Sequence, residues 1–415
     1  MSGRFAVIGA GAIGLTCAYF LRREGVNVLV VDRDKVGSGA SSGNAGWIVP
    51  SLAVPLPSPS RIPFAIKSVL DPHSPFHIDI RAARGMAGWL FRFAQHCNSS
   101  DYKRGLNHLA SLAEPTMGLF DELHADGIQF EMKSSGLLFV FLSRIAAERE
   151  IALLTPMRTY GYDIDDSPLT HDALHELSPA LSNAVRFGVL VAGERHINPS
   201  SLLVGLTKRL RERGVDIHEG VEISGFVRKG TRVQGLITGT DSFDVDGVLI
   251  AAGAWSAWLG RKLGADLPIE AGKGYSFSLE LEPPIPTLPL YLGEAMIGCT
   301  PMDAGVRLAG TMELSRVDRT FNQTRVESMK RSAVRYLRGG SWNTTSEHWM
   351  GIRPLTPDGL PILGRLEPFD NVYVATGHQA LGITLAPATG AAMAQLIARS
   401  TSAASLTPFS ADRFA

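Results

Sequence analysis

The chain has 415 residues, 40 basic and 40 acidic side chains that cancel, and three cysteines. This length exceeds one ordinary core and predicts two domains. The balanced charge argues against a nucleic-acid footprint or an anionic-membrane stripe. Cys17, Cys97 and Cys299 are too few and too scattered for a disulfide framework or a metal site, which favours a reducing, cytoplasmic setting.

Phe5 to Ile8 predicts a buried strand, Gly9-x-Gly11-x-x-Gly14 a tight turn, and Ala12 to Glu24 a helix with apolar spacing through Ile13, Cys17, Phe20 and Leu21. Gly25 stops that helix, and Val28 to Val31 is a second buried strand carrying Asp32 at its carboxyl end. Each glycine has a physical task. Gly9 permits the turn, Gly11 lets a pyrophosphate approach the backbone, and Gly14 lets helix and strand pack closely, while Asp32 accepts from a ribose hydroxyl. The run Phe5 to Leu21 also resembles a leader or membrane anchor, but its three glycines and its length count against a spanning helix of roughly 20 apolar residues. The expectation is a chain with no transmembrane segment.

Arg33 to Gly46 is built from small and hydroxylated residues, placed to wrap a second phosphate or ribityl chain with backbone amides and the hydroxyls of Ser41 and Ser42. The proline-rich stretch from Pro50 to Pro63 marks an exit from the nucleotide unit. Residues 81–98, 103–126 and 143–159 carry helical spacing, with Pro115 as a break, and Gly136 to Leu142 reads as a strand. His73, His77, His96 and His108 lack spaced partners and read as structural or surface residues. The sequons at Asn98, Asn322 and Asn343 read as polar loops. Asn198 and Pro199 open an amphipathic helix running to Arg213. Val215 to His218 and Val221 to Val227 then read as strands, followed by a glycine-bearing hairpin and by Val248-Leu-Ile-Ala-Ala-Gly253, an apolar strand that meets a glycine. Residues 268–340 carry short strand patterns. Asn371 to Thr376 is a third apolar strand ending on Gly377, followed by a helix from about Pro387 to Ala398.

Three strand-to-glycine junctions, near residues 9, 253 and 377, imply one nucleotide domain assembled from both chain ends and a middle piece. Several motifs together resemble the FAD-dependent D-amino-acid oxidase superfamily along nearly the whole chain, nearest to its bacterial D-amino-acid dehydrogenases. They are Gly9-x-Gly-x-x-Gly14 with Asp32, Ser41-Ser-Gly-Asn-Ala-Gly46, Lys273-Gly-Tyr-Ser276, Trp349-x-Gly-x-Arg-Pro-x-Thr-Pro-Asp-Gly-x-Pro-Ile, and Thr376-Gly-His378 with Gly382-Ile-Thr-Leu-Ala-Pro. The resemblance implies an α/β (α+β overall) fold. A Rossmann-like FAD-binding domain would comprise 1–52, 196–270 and 345–415, and a substrate domain with a mainly antiparallel sheet and helices would comprise 53–195 and 271–344.

It also implies non-covalent FAD. Gly9, Gly11, Ala12, Ile13 and Gly14 would hold the pyrophosphate, with Asp32 and Arg33 beside the adenosine ribose. Ser41, Ser42, Asn44, Ala45 and Gly46 would line the ribityl and ring side, Ile223 the adenine, Gly253 the middle junction, and Gly377, Gly382, Ile383 and Thr384 the pyrimidine edge. For a substrate carboxylate, Arg353 is the leading clamp and Arg307 the second, while Tyr275, Tyr291 and His378 are candidate pocket residues. The superfamily's Pro-Arg pair, found upstream in glycine-oxidase members, is missing from Cys299-Thr-Pro-Met. The implied activity is oxidation of a D-amino acid such as D-proline or hydroxy-D-proline, with a quinone, another carrier or oxygen as acceptor. Alternatives are a glycine or sarcosine-type oxidase and a tRNA-modifying flavoprotein module. Peripheral association with the inner face of a membrane stays open.

Overall fold

The computed structural model describes residues 3–59, 74–239, 241–303, 305–340, 342, 345–399 and 404–414. The end of the proline-rich stretch, His73 and the Asn343 sequon lie outside the described residues. The elements that build the site are, in chain order, β1 (Phe5–Ile8), α1 (Ala12–Arg23), β2 (Val28–Val31), α2 (Pro199–Glu212), β3 (Asp216–His218), β4 (Gly247–Ile250), β5 (Glu270–Leu279), β6 (Gly305–Ser315), β7 (Thr345–Leu355), β8 (Ile362–Arg365), β9 (Val372–Thr376) and α3 (Ala386–Arg399).

The first sheet has the order β8-β9-β4-β1-β2-β3 and is parallel except for the edge strand β8. Its central strands are buried on both faces, as their unbroken Val, Leu and Ile runs require. One face is covered by α1, α2 and α3. Helix α1 meets α3 closely, because a Cβ at Gly390 would overlap the Thr16 backbone. The other face is covered by the helix Ser256–Leu263 and by a three-stranded meander over 225–244. Each fully buried Val or Leu in these layers contributes roughly 1.5–3 kcal/mol. Asn198 caps α2 by accepting from the Ser200 and Ser201 amides (3.1 and 3.4 Å), with Pro199 in the first turn.

The second sheet is eight-stranded. It runs from β7 through β5, β6, Ile297–Met302, Leu290–Leu292 and Leu137–Phe141 to Phe187–Val191, with Phe76–Ile78 added to β6. It is antiparallel except where Leu290–Leu292 meets Leu137–Phe141 and where Phe76–Ile78 meets β6. Two expectations change here. The segment 268–340 holds two of the anticipated short strands, Leu290–Leu292 and Ile297–Met302, but also the long β5 and β6 and a helix, Gln323–Ala333. Strand β7 pairs with β5, Leu355 opposite Glu270, so residues 345–355 lie in the second sheet and not in the first.

Smaller corrections concern the local elements. The segment 81–98 divides into Ile80–Ala83 and Ala87–His96, and 143–159 into Arg144–Leu154 and a tighter 3-10 turn from Thr155 that contains Pro156. The strand expected from Val221 begins only at Gly225. Gly220 has φ +75°, and the Val221 amide donates to the Asp32 carbonyl, which turns 221–224 toward the end of β2.

Candidate cofactor and active site

A cavity of about 430 Å³ runs across the carboxyl ends of β1, β2, β4 and β9 and is walled on its other side by β7. At its β1 end, Gly9 has φ +114°, and a Cβ there would overlap the Ala251 carbonyl. A Cβ at Gly14 would overlap the Gly9 carbonyl, so this glycine serves helix-on-strand packing and lies behind the cavity wall. The first turn of α1 opens onto the cavity through Gly11, Ala12 and Ile13. A helix N-terminus of this kind favours an anion. Ser41 Oγ accepts the Ala12 amide (3.0 Å) and ties the small-residue loop to that turn.

Asp32 accepts the Ala10 amide through Oδ2 (2.7 Å) and the Asp34 amide through Oδ1 (2.9 Å). Each oxygen keeps further acceptor capacity. Burial raises the Asp32 pKa while those amides oppose the rise. Beside it, the Arg33 guanidinium stacks over Trp255 at 4.1 Å, and Arg319 reaches from the loop after β6 to pair with Asp34.

At the other end lies Arg353. Its Nη1 donates to the Thr311 carbonyl (2.8 Å), and Thr311 is a β-branched residue held at φ +54°. The cause is a bulge: Lys273 pairs with Glu313 but Tyr275 with Gly310, leaving Thr311 and Met312 opposite Gly274. Strain of this sort costs on the order of 1–3 kcal/mol and persists where the surroundings enforce it. Gly274 leaves the space the guanidinium occupies, since a Cβ there would overlap it. Gly351, opposite Gly274 in register, and Gly43 do the same for the Trp349 indole. Among the described residues Arg353 has no acidic partner, and burial pulls its pKa down to about 10. His378 lines the same end. Its Nε2 lies 2.9 Å from Thr389 Oγ1, and burial holds the imidazole neutral with a pKa of about 3.

Of the sequence-derived site residues, the cavity is lined by Gly9, Gly11, Ala12, Ile13, Asp32, Arg33, Ser41, Asn44, Ile223, Gly253, Gly382, Ile383, Arg353 and His378. Others stand behind the lining. The Ser42 carbonyl accepts from Arg307 Nη1 (3.1 Å) and the Ala45 carbonyl from Thr300 Oγ1 (2.8 Å). Gly46 has φ +74° against the Ile197 carbonyl, Gly377 has φ +78° against Thr356, and Thr384 Oγ1 accepts the Val49 amide (3.1 Å).

Three expectations are corrected. Tyr275 does not face the cavity. Alternation along β5 gives that face to Gly274 and Ser276, whose Oγ donates to the Gly43 carbonyl (2.6 Å), and turns Tyr275 into the opposite core, where its hydroxyl donates to Glu313 (2.9 Å). Tyr291 packs edge-on against Trp47 and Phe139, at 6.0 and 5.4 Å, in a separate apolar cluster. Arg307 is committed to the Ser42 carbonyl and to Glu347 at 3.7 Å, so it braces the loop and is no free clamp.

Sequence reasoning missed Trp255, Arg319, Trp349 and Gln379 as lining residues. Trp349 could have been found, because residues 349, 351 and 353 share one face of a strand. Arg319 carries no local signal.

A glycine-cradled turn, a strand-terminal aspartate and a parallel sheet open at its carboxyl edge define a dinucleotide-binding fold. The chain belongs to the FAD dependent oxidoreductase family, whose signature matches residues 4–396, and it is an FAD-dependent oxidoreductase. A D-amino acid dehydrogenase of Methylobacterium nodulans is 29% identical over 404 residues, 95% of each chain. In solved structures the fold matches glycine oxidase from Geobacillus kaustophilus with a TM-score of 0.77 at 23% identity, covering 99% of this chain and 98% of that one. It also matches L-proline dehydrogenase from P. horikoshii with a TM-score of 0.74 at 17% identity, covering 99% and 97%. Among the described residues no helix is long and apolar enough to cross a membrane.

Proposed function

We propose that this enzyme oxidises the Cα–N bond of a D-amino acid, D-proline and hydroxy-D-proline included, to an imine, and passes the electrons to a quinone or another carrier. The observation that carries the reading is Arg353, a cation on the wall of the cofactor cavity with no acidic partner among the described residues. Such a charge is costly to bury and is satisfied by a carboxylate that accepts two parallel N–H bonds. The dehydrogenase relative supports the D-amino-acid assignment.

In this reading Gly9, Gly11, Ala12 and Ile13 hold the pyrophosphate of FAD and Asp32 its adenosine ribose. Ile223 lies at the adenine, and Gly382 and Ile383 at the pyrimidine edge. When bound, FAD supplies the two-electron acceptor. The residues do the positioning. Arg353, fixed by Thr311, holds the carboxylate so that the Cα hydrogen points at the acceptor, at the separation of about 3–3.5 Å that transfer requires. His378 stays neutral and adds no second positive charge. The other acids and bases lining the cavity, Asp32, Arg33, Asp34, Glu222 and Arg319, belong to segments at the β2 and β3 side. The amine therefore arrives neutral and loses its N–H proton to water as the imine forms.

The test is anaerobic flavin bleaching, followed near 450 nm, with D- and L-amino acids, D-proline, hydroxy-D-proline, glycine and sarcosine. Bleaching by D-compounds is expected, and Arg353→Met should lower kcat/KM about 10²–10⁴-fold with flavin retained. Bleaching by glycine or sarcosine alone, or an unchanged Arg353→Met enzyme, would overturn the assignment.

A further inference from the structure

Gln379 sits in the loop between β9 and α3 and lines the cavity. Two independent features mark it. Its backbone is left-handed at φ +52°, a conformation that glycine adopts freely and glutamine does not. Its Nε2 is buried and has no hydrogen-bond partner among the described residues, an arrangement that loses the solvation of a donor for nothing in return. Glycine would relieve the first cost and any apolar side chain the second. A residue that carries both is explained by a partner that arrives with a ligand.

The position specifies the ligand. The Gln379 amide donates from its backbone to the carbonyl of Pro354 (3.2 Å), the residue next to Arg353. The loop is thereby tied to the strand that carries the unpaired cation, and Thr311, the residue gripping Arg353, is itself strained at φ +54°. Two strained non-glycine residues thus hold this stretch of β7, Thr311 through the Arg353 guanidinium and Gln379 through the Pro354 carbonyl. A side-chain amide donor lining the same cavity as that cation suits a group that only accepts, namely an anionic carboxylate.

We infer that Gln379 is a second, specificity-determining ligand of the substrate carboxylate, acting with Arg353; the inference rests on the amino-acid reading above. The arginine supplies charge and the amide fixes the plane of the carboxylate, which selects α-amino and α-imino acids over amines without a carboxylate.

The experiment uses holoenzyme and benzoate as a non-oxidisable carboxylate, read by perturbation of the flavin spectrum so that no turnover is needed. In Gln379→Gly the backbone keeps its conformation without strain while the amide is lost. The expected result is an approximately tenfold higher Kd for benzoate and a similar rise in KM for the best D-amino acid, with kcat changed less and FAD retention and melting temperature undiminished. Gln379→Asn, which tolerates the same backbone, should recover part of the affinity. Unchanged benzoate binding in Gln379→Gly would overturn the inference and leave the amino-acid reading intact. Weakened FAD retention with benzoate binding preserved would assign the amide to the flavin ring and equally overturn it. A wild-type enzyme that neither binds benzoate nor is bleached by any amino acid would remove the carboxylate site itself.

Discussion

The two ends of the cavity are both made possible by glycine, but in opposite ways. At the β1 end, Gly9, Gly11 and Gly14 are neighbours in sequence and serve a backbone: they let a turn, a helix N-terminus and a strand come together around a diphosphate-sized space. At the β7 end, Gly43, Gly274 and Gly351 come from three distant segments and serve side chains, clearing room for the Trp349 indole and the Arg353 guanidinium. The first end recognises a ligand with amides, which any sequence of the right shape provides. The second recognises one with a charge, and that charge depends on the register of one pair of strands. Cofactor binding should therefore survive most changes that abolish substrate binding, while the reverse should not hold.

Gly14→Val attacks the first end and has the largest expected effect. Its side chain would be forced into the Gly9 carbonyl, at a cost of roughly 3 kcal/mol or more with no flexible group able to move aside. The purified protein should be largely colourless with a lowered melting temperature. A stable, fully flavinated Gly14→Val enzyme would break the comparison. Gly274→Ala attacks the second end. One methyl group falls on the Arg353 guanidinium and displaces it by about an ångström, which for a positioned charge costs about 10²-fold in kcat/KM. Flavin content should be normal. Loss of flavin in this variant would show that the two ends are not separable.

This division also explains what the sequence reveals. The β1-α1-β2 unit is readable because its signals are local: unbroken apolar strands, glycines at fixed offsets and an acid at a strand end. Arg353 is readable because it lies in the Gly-x-Arg-Pro stretch of the quoted motif. The faces of β5 are not. Residues 272–276 alternate in either phase, and only the pairing of Gly274 with Gly351 decides that Gly274 meets the Arg353 guanidinium while Tyr275 meets Glu313. Arg307 looked like a clamp for the same reason; its target, the Ser42 carbonyl, is 265 positions away. That residues 345–355 join the second sheet, not the FAD-binding piece expected from 345, is likewise set by a long-range partner, Glu270 opposite Leu355. Alternation along β7 puts Trp349 on the face of Arg353, but no local rule says that Gly43 will lie beneath its indole.

The smallest effect tests whether an unsatisfied buried charge signals a ligand wherever it occurs. Glu194 is 1% exposed; its Oε1 accepts the Ser51 amide (2.9 Å) while Oε2 has no partner among the described residues, yet it does not line the cavity. Burial lifts its pKa from the ordinary 4.5 to about 7, so the folded chain holds this proton more tightly than the unfolded one. The contribution to stability follows that sign: it is unpenalised below about pH 4.5, declines as pH rises toward 7 and is constant above. Over that window the penalty is of order 3 kcal/mol. Glu194→Gln keeps an acceptor for Ser51 and never ionises. It should raise the melting temperature at pH 8, leave it nearly unchanged at pH 4.5, and alter neither flavin content nor kcat/KM. Because Arg353 borders the cavity and Glu194 does not, the same substitution logic gives opposite results: neutralising the arginine costs activity, and neutralising the glutamate gains stability at no functional cost. A fall in kcat/KM for Glu194→Gln would mean that the location of the charge relative to the cavity is not what separates a binding group from a structural burden.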